Sequence, residues 1–326
     1  MSLTPAEIVS LLGTTTPSLS ARIGSISRHW KSAGHDIEGR FFYVRFRDSA
    51  PTVDDLIDIA HARMVNFCMP RTRIKEAKAE MMANPDRIDC WVDLVTEARD
   101  LFIKTYEKSG RSGELGEILL YMLVESVLKA PIVACKMYLK TSLQMPVHGV
   151  DGIHMGFEGD NLIMYWGESK LHKDKSSALT DIAESISGFT KDRDKYKREV
   201  RIIKSNLNID DLNSEAINAL KSYFDPYKEE SNNLIDCYAC LAGFDSSLYD
   251  IVSNVKHDAC EKMFCSEYEN KIQQLCDLIS NKTEEYGLGS FKFSYFLLPF
   301  PSVDAARKKF GSSGFSVGNP CQELAG

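Results

Sequence analysis

Between Gly149 and Lys170 the chain reads GVDGIHMGFEGDNLIMYWGESK, and no other stretch narrows its folding options as far. Two apolar-rich runs flank Gly159-Asp160, and a glycine-first two-residue loop suits a type II′ hairpin turn. The second run, Leu162-Ile163-Met164-Tyr165-Trp166-Gly167, is almost continuously apolar, the pattern of a strand covered on both faces.

Hairpin symmetry then fixes the partners. Counted outward from 159–160, residue 158 faces 161, 157 faces 162, and Asp151 comes opposite Glu168. Opposed side chains in an antiparallel pair have Cβ atoms about 4.5–5.5 Å apart, so two carboxylates meet at a repulsive distance. A divalent cation neutralises such a pair, and Mg²⁺ typically takes one or two carboxylates together with substrate phosphates. The two-residue strand period puts Lys170 on the face of Glu168. There its ammonium can hold an attacking water or stabilise charge developing on phosphate. These residue types in this pattern point to metal-assisted phosphodiester hydrolysis. The competing reading is a solvent-exposed ion pair, and the position of the charges at the end of a buried strand argues against it. A bulge in the hairpin would undo the pairing.

Phe41–Phe46, Ile132–Leu139, Leu234–Leu241 and Phe291–Leu298 read as further strands. Helices are expected over Val53–Phe67 (ended by Pro70), Arg87–Tyr106, Glu114–Leu128 with Ser112 as N-cap, Ser177–Ile186, Asn213–Phe224 and Val303–Phe310. Val255–Ile279 carries Phe264, Tyr268, Ile272, Leu275 and Ile279 at helical spacing and reads as one long amphipathic helix. KSGRSG (108–113) is a loop signal. Strands and helices alternate without a clear linker. The expectation is one α/β domain over 41–310 with a helical elaboration around 205–285, preceded by a helical or irregular extension (1–40) and followed by a flexible tail (311–326).

Composition excludes some classes. With 326 residues, 44% hydrophobic and 26% charged, the chain can bury a sizeable core. Nothing approaches the roughly 20 apolar residues of a membrane helix, and MSLTPAEIVSLLGTTTPS lacks the layout of a signal peptide. Nine scattered cysteines then read as reduced thiols in a cytoplasmic protein. A net charge of −7 is the wrong balance for gripping nucleic acid unaided, so a local patch or a partner must supply phosphate attraction.

At Asp151 and at Glu168-x-Lys170 the sequence resembles the PD-(D/E)xK nuclease superfamily, whose pattern is an acid opening one strand, acid-x-Lys on the next and a glutamate on a preceding helix. Val150 stands where that superfamily usually has proline. GELGE (113–117) offers Glu114 and Glu117 for the helix position. More closely, GELGEILLYML, GVDGIHMG and YWGESKLH together resemble the HamA nuclease family of Hachiman anti-phage defence, over about Phe41 to Phe310. The resemblance implies a PD-(D/E)xK nuclease-like fold, a mixed sheet flanked by helices. It also implies degradation of DNA with Mg²⁺, or Mn²⁺ in its place, in a heterodimer with a HamB-type superfamily-2 helicase that restrains the nuclease. Under it Asp151, Glu168 and Glu117 hold metal, Lys170 positions water and supports the transition state, and Glu114 is the alternative helix acid. Both glutamates also suit the first turn of a helix through its dipole alone. Two other readings stay open: a non-catalytic adaptor with a nuclease fold, and a stand-alone restriction or repair nuclease.

Arg111, His172, Lys173 and Lys175 are candidate DNA contacts, with a solvated loop as the alternative. The run KDRDKYKREVRIIK (191–204) is the best local phosphate-contacting candidate, against an ordinary charged helix surface. Cys237-x-x-Cys240 with His257, Cys260 and Cys265 invites a zinc reading. The first pair falls in an expected strand, where the two thiols point to opposite faces, so buried structural cysteines are the better expectation.

Overall fold

The computed structural model describes residues 19–27, 29–109, 113–134, 150–205 and 214–313, together with Glu7 and Thr14. Its strands are β1 (Ile23–Ser25), β2 (Trp30–Lys31), β3 (Ile37–Val44), β4 (Phe46–Arg47), β5 (Ala50–Pro51), β6 (Ile132–Ala134), β7 (Ile153–Glu158), β8 (Asn161–His172), β9 (Leu234–Asp245) and β10 (Lys292–Phe300). The helices are α1 (Val53–Cys68), α2 (Arg71–Ala83), α3 (Asp89–Ser109), α4 (Glu114–Val127), α5 (Lys175–Lys191), α6 (Arg193–Ser205), α7 (Ser214–Ser222), α8 (Leu248–Val252), α9 (His257–Glu269), α10 (Ile272–Glu285) and α11 (Val303–Ser313).

The main sheet runs β1-β3-β10-β9-β8-β7-β6, with β2 also paired to β3. Its centre, β3-β10-β9-β8, is parallel, whereas β7 and β6 form an antiparallel meander on β8. This is a mixed sheet flanked by helices, the α/β architecture expected. The central strands are those with nearly unbroken apolar runs, as parallel strands covered on both faces require. At the hairpin Gly159 adopts a φ of +59°, which a glycine takes without strain.

Alternation along β8 assigns the two helical layers. Gly167, Ser169 and Leu171 face α4, where a Cβ on Gly116 would stand 2.9 Å from the Ser169 hydroxyl. Trp166 faces the other way, its ring 5.4 Å from those of Phe189 on α5 and Tyr196 on α6. Glu168, Lys170 and His172 share that second face. Trp166, Leu119 and Ile182 are all fully buried, and burial of a large apolar side chain contributes about 1.5–3 kcal/mol.

Three elements depart from the sequence reading. Strands β1 and β2 and the start of β3 lie within the segment expected to be a helical or irregular extension. Helix α2 was not signalled because only Ile74 and Ala77 of it are buried. The single long helix is two, α9 and α10. The Lys271 amide closes on Tyr268 O at 2.9 Å, a tighter turn than the helix, and ends α9 at Asn270. Phe264, Tyr268, Ile272, Leu275 and Ile279 are nonetheless all buried, so their spacing carries across the break. Of the expected strand 132–139, residues beyond Ala134 lie outside the described residues, as do Ser112 and the tail beyond Ser313.

Candidate active site

Strand β8 outruns its antiparallel partner. β7 begins at Ile153, opposite Trp166, while β8 continues to His172. The edge beyond Gly167 would leave the Ser169 amide without a strand acceptor, and buried backbone groups are almost always paired. Asp151 fills the gap, its Oδ2 accepting from both the amide and the hydroxyl of Ser169 at 2.7 Å each. Just before it the ladder shifts. The Asp151 amide donates to Gly167 O (2.7 Å), and the Gly167 amide donates to Gly152 O (2.8 Å). Two residues thus share one partner, the pattern of a β-bulge. Asp151 is therefore turned onto Ser169 and does not squarely face Glu168 as hairpin symmetry implies. A Cβ on Gly167 would meet the Gly152 backbone at 3.1 Å, which explains why this crossing uses glycine.

Glu168 is buried against α5, its side chain 5% exposed, and accepts from the Lys170 ammonium, which is 30% exposed. Burial and then the nearby Asp151 charge push the Glu168 carboxyl up to about 7, even though Lys170 and the Ser185 hydroxyl on α5 favour its ionised form. Burial works against the Lys170 charge, but Glu168 and Asp151 outweigh it and raise the ammonium pKa. Asp181, one turn before Ser185 on α5, adds a further negative charge near Lys170. The β8 end thus gathers Asp151, Glu168 and Lys170 as the sequence proposes. Ser169, Ser185 and Asp181 were missed. Ser169 lies inside the motif itself, and the four-residue helical spacing of Asp181 and Ser185 was the available signal.

The helix acids are placed differently. α4 lies on the face opposite Glu168 and Lys170, with its N-terminus at the same end of the sheet through the Gly116–Ser169 contact. Glu114 is buried near Arg307 of α11, whose guanidinium donates to Leu171 O. Glu117 is half-buried one residue past Gly116. Either acid approaches the set from the Asp151–Ser169 side, not across the lysine. Among the described residues, no group of three or more His, Cys, Asp or Glu side chains is arranged to hold a metal ion. Two hard donors do suit one. Asp151 Oδ1 makes no hydrogen bond among the described residues, and Glu168 is an acid whose burial beside a second acid calls for a cation. Substrate oxygens would complete such a shell.

Of the expected DNA contacts, His172 pairs with Asp181 at 2.9 Å and Lys173 with Asp304 at 2.8 Å, while Lys175 is the half-buried first residue of α5. Arg111 lies outside the described residues. Cys237 and Cys240 are buried in β9, and Cys260 Sγ points at Val252 O, 3.5 Å away. The His257 side chain is outside the described residues. No described helix is long and apolar enough to cross a membrane. The family model of HamA matches residues 25–312 of the chain. No curated protein matches it.

Proposed function

The chain belongs to the HamA family and is a component of Hachiman anti-phage defence, and from that premise we propose that it is the nuclease of the system, a metal-dependent deoxyribonuclease. The observation that carries the reading is the convergence of Asp151, Glu168 and Lys170 at one strand end.

Asp151 and Glu168 would hold the cation, Mg²⁺ or Mn²⁺, with Glu117 the helix acid and Glu114 the alternative. When bound, the ion supplies neutralisation of phosphate charge and acidification of water. The chain's own residues do the rest. Ser169 fixes Asp151 through two hydrogen bonds, and Ser185 supports Glu168 from the helix above. Lys170 reaches solvent while staying charged, so its ammonium can orient a water and meet negative charge developing on the phosphate. Glu168 would hold a cation as the carboxylate, so the proton that its burial favours would have to leave. DNA is the proposed substrate and a HamB-type superfamily-2 helicase the proposed partner. A net charge of −7 is compatible with a helicase that carries much of the DNA grip.

The runner-up is a non-catalytic adaptor. An adaptor has no use for a buried acid held near neutrality beside a second acid. The test is cleavage of supercoiled and linear DNA by the purified chain, alone and with its helicase and ATP, in Mg²⁺ or EDTA, beside Lys170→Met. Mg²⁺-dependent cutting that disappears in Lys170→Met supports the nuclease. DNA binding without cutting, in the presence of the helicase, makes the chain an adaptor.

A further inference from the structure

Helix α6 carries the most basic segment of the chain, and its position relative to the acids is not evident from sequence. Its inner side is Tyr196, Glu199 and Val200. The Tyr196 ring lies 5.4 Å from Trp166, and its hydroxyl donates to Asp236 Oδ1 at 3.4 Å. Trp166 shares its face of β8 with Glu168 and Lys170, so α6 covers that same face. It also packs on α5 and β6, and therefore crosses the sheet from β8 toward the β6 edge. Glu168 and Lys170 stand two and four residues beyond Trp166, about 7 and 13 Å further along the strand. α6 thus forms a shelf on their face of the sheet at the level of Trp166.

Arg193, Lys197, Arg198 and Arg201 point outward from that shelf and are exposed. Arg193, Lys197 and Arg201 recur every four residues, one stripe about 12 Å long. None of the four makes an ion pair or side-chain hydrogen bond among the described residues. Of the acids of the helix, Glu199 faces inward, and Asp194, exposed in the first turn, makes no ion pair with any of the four among the described residues. Like charges spaced four apart on a helix repel, and here they persist in a chain of net charge −7. His172 and Lys173, by contrast, are already matched by Asp181 and Asp304.

We propose that the outer face of α6 is the platform that holds a nucleic-acid backbone against the Asp151–Glu168–Lys170 end of the sheet. The assignment rests on the nuclease reading for its substrate. An evenly spaced cationic stripe beside phosphodiester chemistry fits repeating phosphates better than it fits an acidic protein. It also gives an acidic chain a local source of phosphate attraction.

Anisotropy of a labelled DNA duplex with the full chain in EDTA, across a salt series, tests the platform without cleavage. Arg193→Gln/Lys197→Gln/Arg198→Gln/Arg201→Gln should bind at least about tenfold more weakly at low salt. Its log Kd against log salt slope should flatten by about 3–4, at about 0.9 per lost phosphate contact. The charge-keeping Arg193→Lys/Arg198→Lys/Arg201→Lys should retain the wild-type slope. Loss there too would assign the effect to helix damage and overturn the proposal. Unchanged binding by the Gln variant, the outcome if the stripe docks an acidic protein, overturns it as well, and so does a wild-type chain that binds no DNA. If binding falls as expected but wild type never cuts in Mg²⁺, even with its helicase and ATP, the platform stands and the nuclease reading fails. Cutting with unaltered binding gives the reverse.

Discussion

Glu168, buried, and Asp236, half-buried, are carboxylates on adjacent strands and on the same face of the sheet, and burial raises the pKa of both. Their neighbours separate them. Asp236 accepts from neutral aromatic donors, Trp166 Nε1 at 2.7 Å and the Tyr196 hydroxyl at 3.4 Å, and both favour its ionised form. It is half-buried and ties α6 to the sheet through Tyr196. Glu168 sits beside a second acid, which raises it further, and is matched by a lysine that reaches solvent. Depth and a perturbed pKa alone therefore do not mark chemistry. An unresolved charge balance that opens to solvent does.

The comparison breaks most sharply on activity. Glu168→Gln keeps the shape but removes the ionised acid, and Mg²⁺-dependent DNA cutting should fall about 10³-fold or more. Asp236→Asn, on the same face of the sheet and half-buried, should leave the rate within about threefold. Equal losses in a plasmid-nicking assay would mean that the two acids do the same job and would remove the distinction.

Gly116→Ala comes next. Its methyl would meet the Ser169 hydroxyl at 2.9 Å, and Ser169 holds Asp151. A displacement there should lower cutting about tenfold while the DNA Kd in EDTA stays put, because misplacement of a reacting group by about 1 Å can cost 10²-fold. A simultaneous loss of DNA binding would show that the glycine serves the fold generally and not the Asp151 position.

Stability should invert the ranking of the two acids. Asp236→Asn keeps an oxygen for the Trp166 and Tyr196 donors, which share Oδ1, but removes the charge that strengthens both bonds and puts an amide NH₂ in place of Oδ2. Leaving a buried polar group poorly matched costs about 1–3 kcal/mol. Glu168→Gln should cost less at pH 8, since it removes a buried charge that repels Asp151. Urea denaturation of the two variants decides this.

Much of this was legible in the sequence for a simple reason. Turn chemistry and the two-residue strand period are local, so the hairpin centre, the buried strand and the shared face of Glu168 and Lys170 could be read from Gly159-Asp160 and the run from Leu162 to Gly167. The bulge at Asp151–Gly152 could not, because it is a one-residue change in hydrogen bonding at the end of a ladder. Periodicity was also blind to the break between Glu269 and Ile272, since apolar spacing carries across it. Which face α4 and α5 cover follows from how the chain crosses over, so the Glu114 and Glu117 side of the sheet, and the approach of Ser185 and Asp181 to β8, needed coordinates.

The smallest effect is also the most specific to Glu168. Its folded pKa of about 7 lies above the ordinary 4.5, so the metal-free folded chain holds a proton that the unfolded chain releases. The stability from that proton is fully present below pH 4.5 and is lost as pH rises through 7. Glutamine does not titrate. Relative to Glu168→Gln, the wild-type melting temperature in EDTA should therefore fall by several degrees between pH 5 and pH 8, since each kcal/mol lost shifts a large domain by about 2–4 °C. Mg²⁺ should act in the opposite sense, raising the wild-type midpoint more at pH 8, where the carboxylate is already ionised, than at pH 6. Parallel melting curves for the two proteins from pH 5 to pH 8 would show that Glu168 ionises like an ordinary surface acid. The contrast with Asp236 would then rest on Lys170 alone.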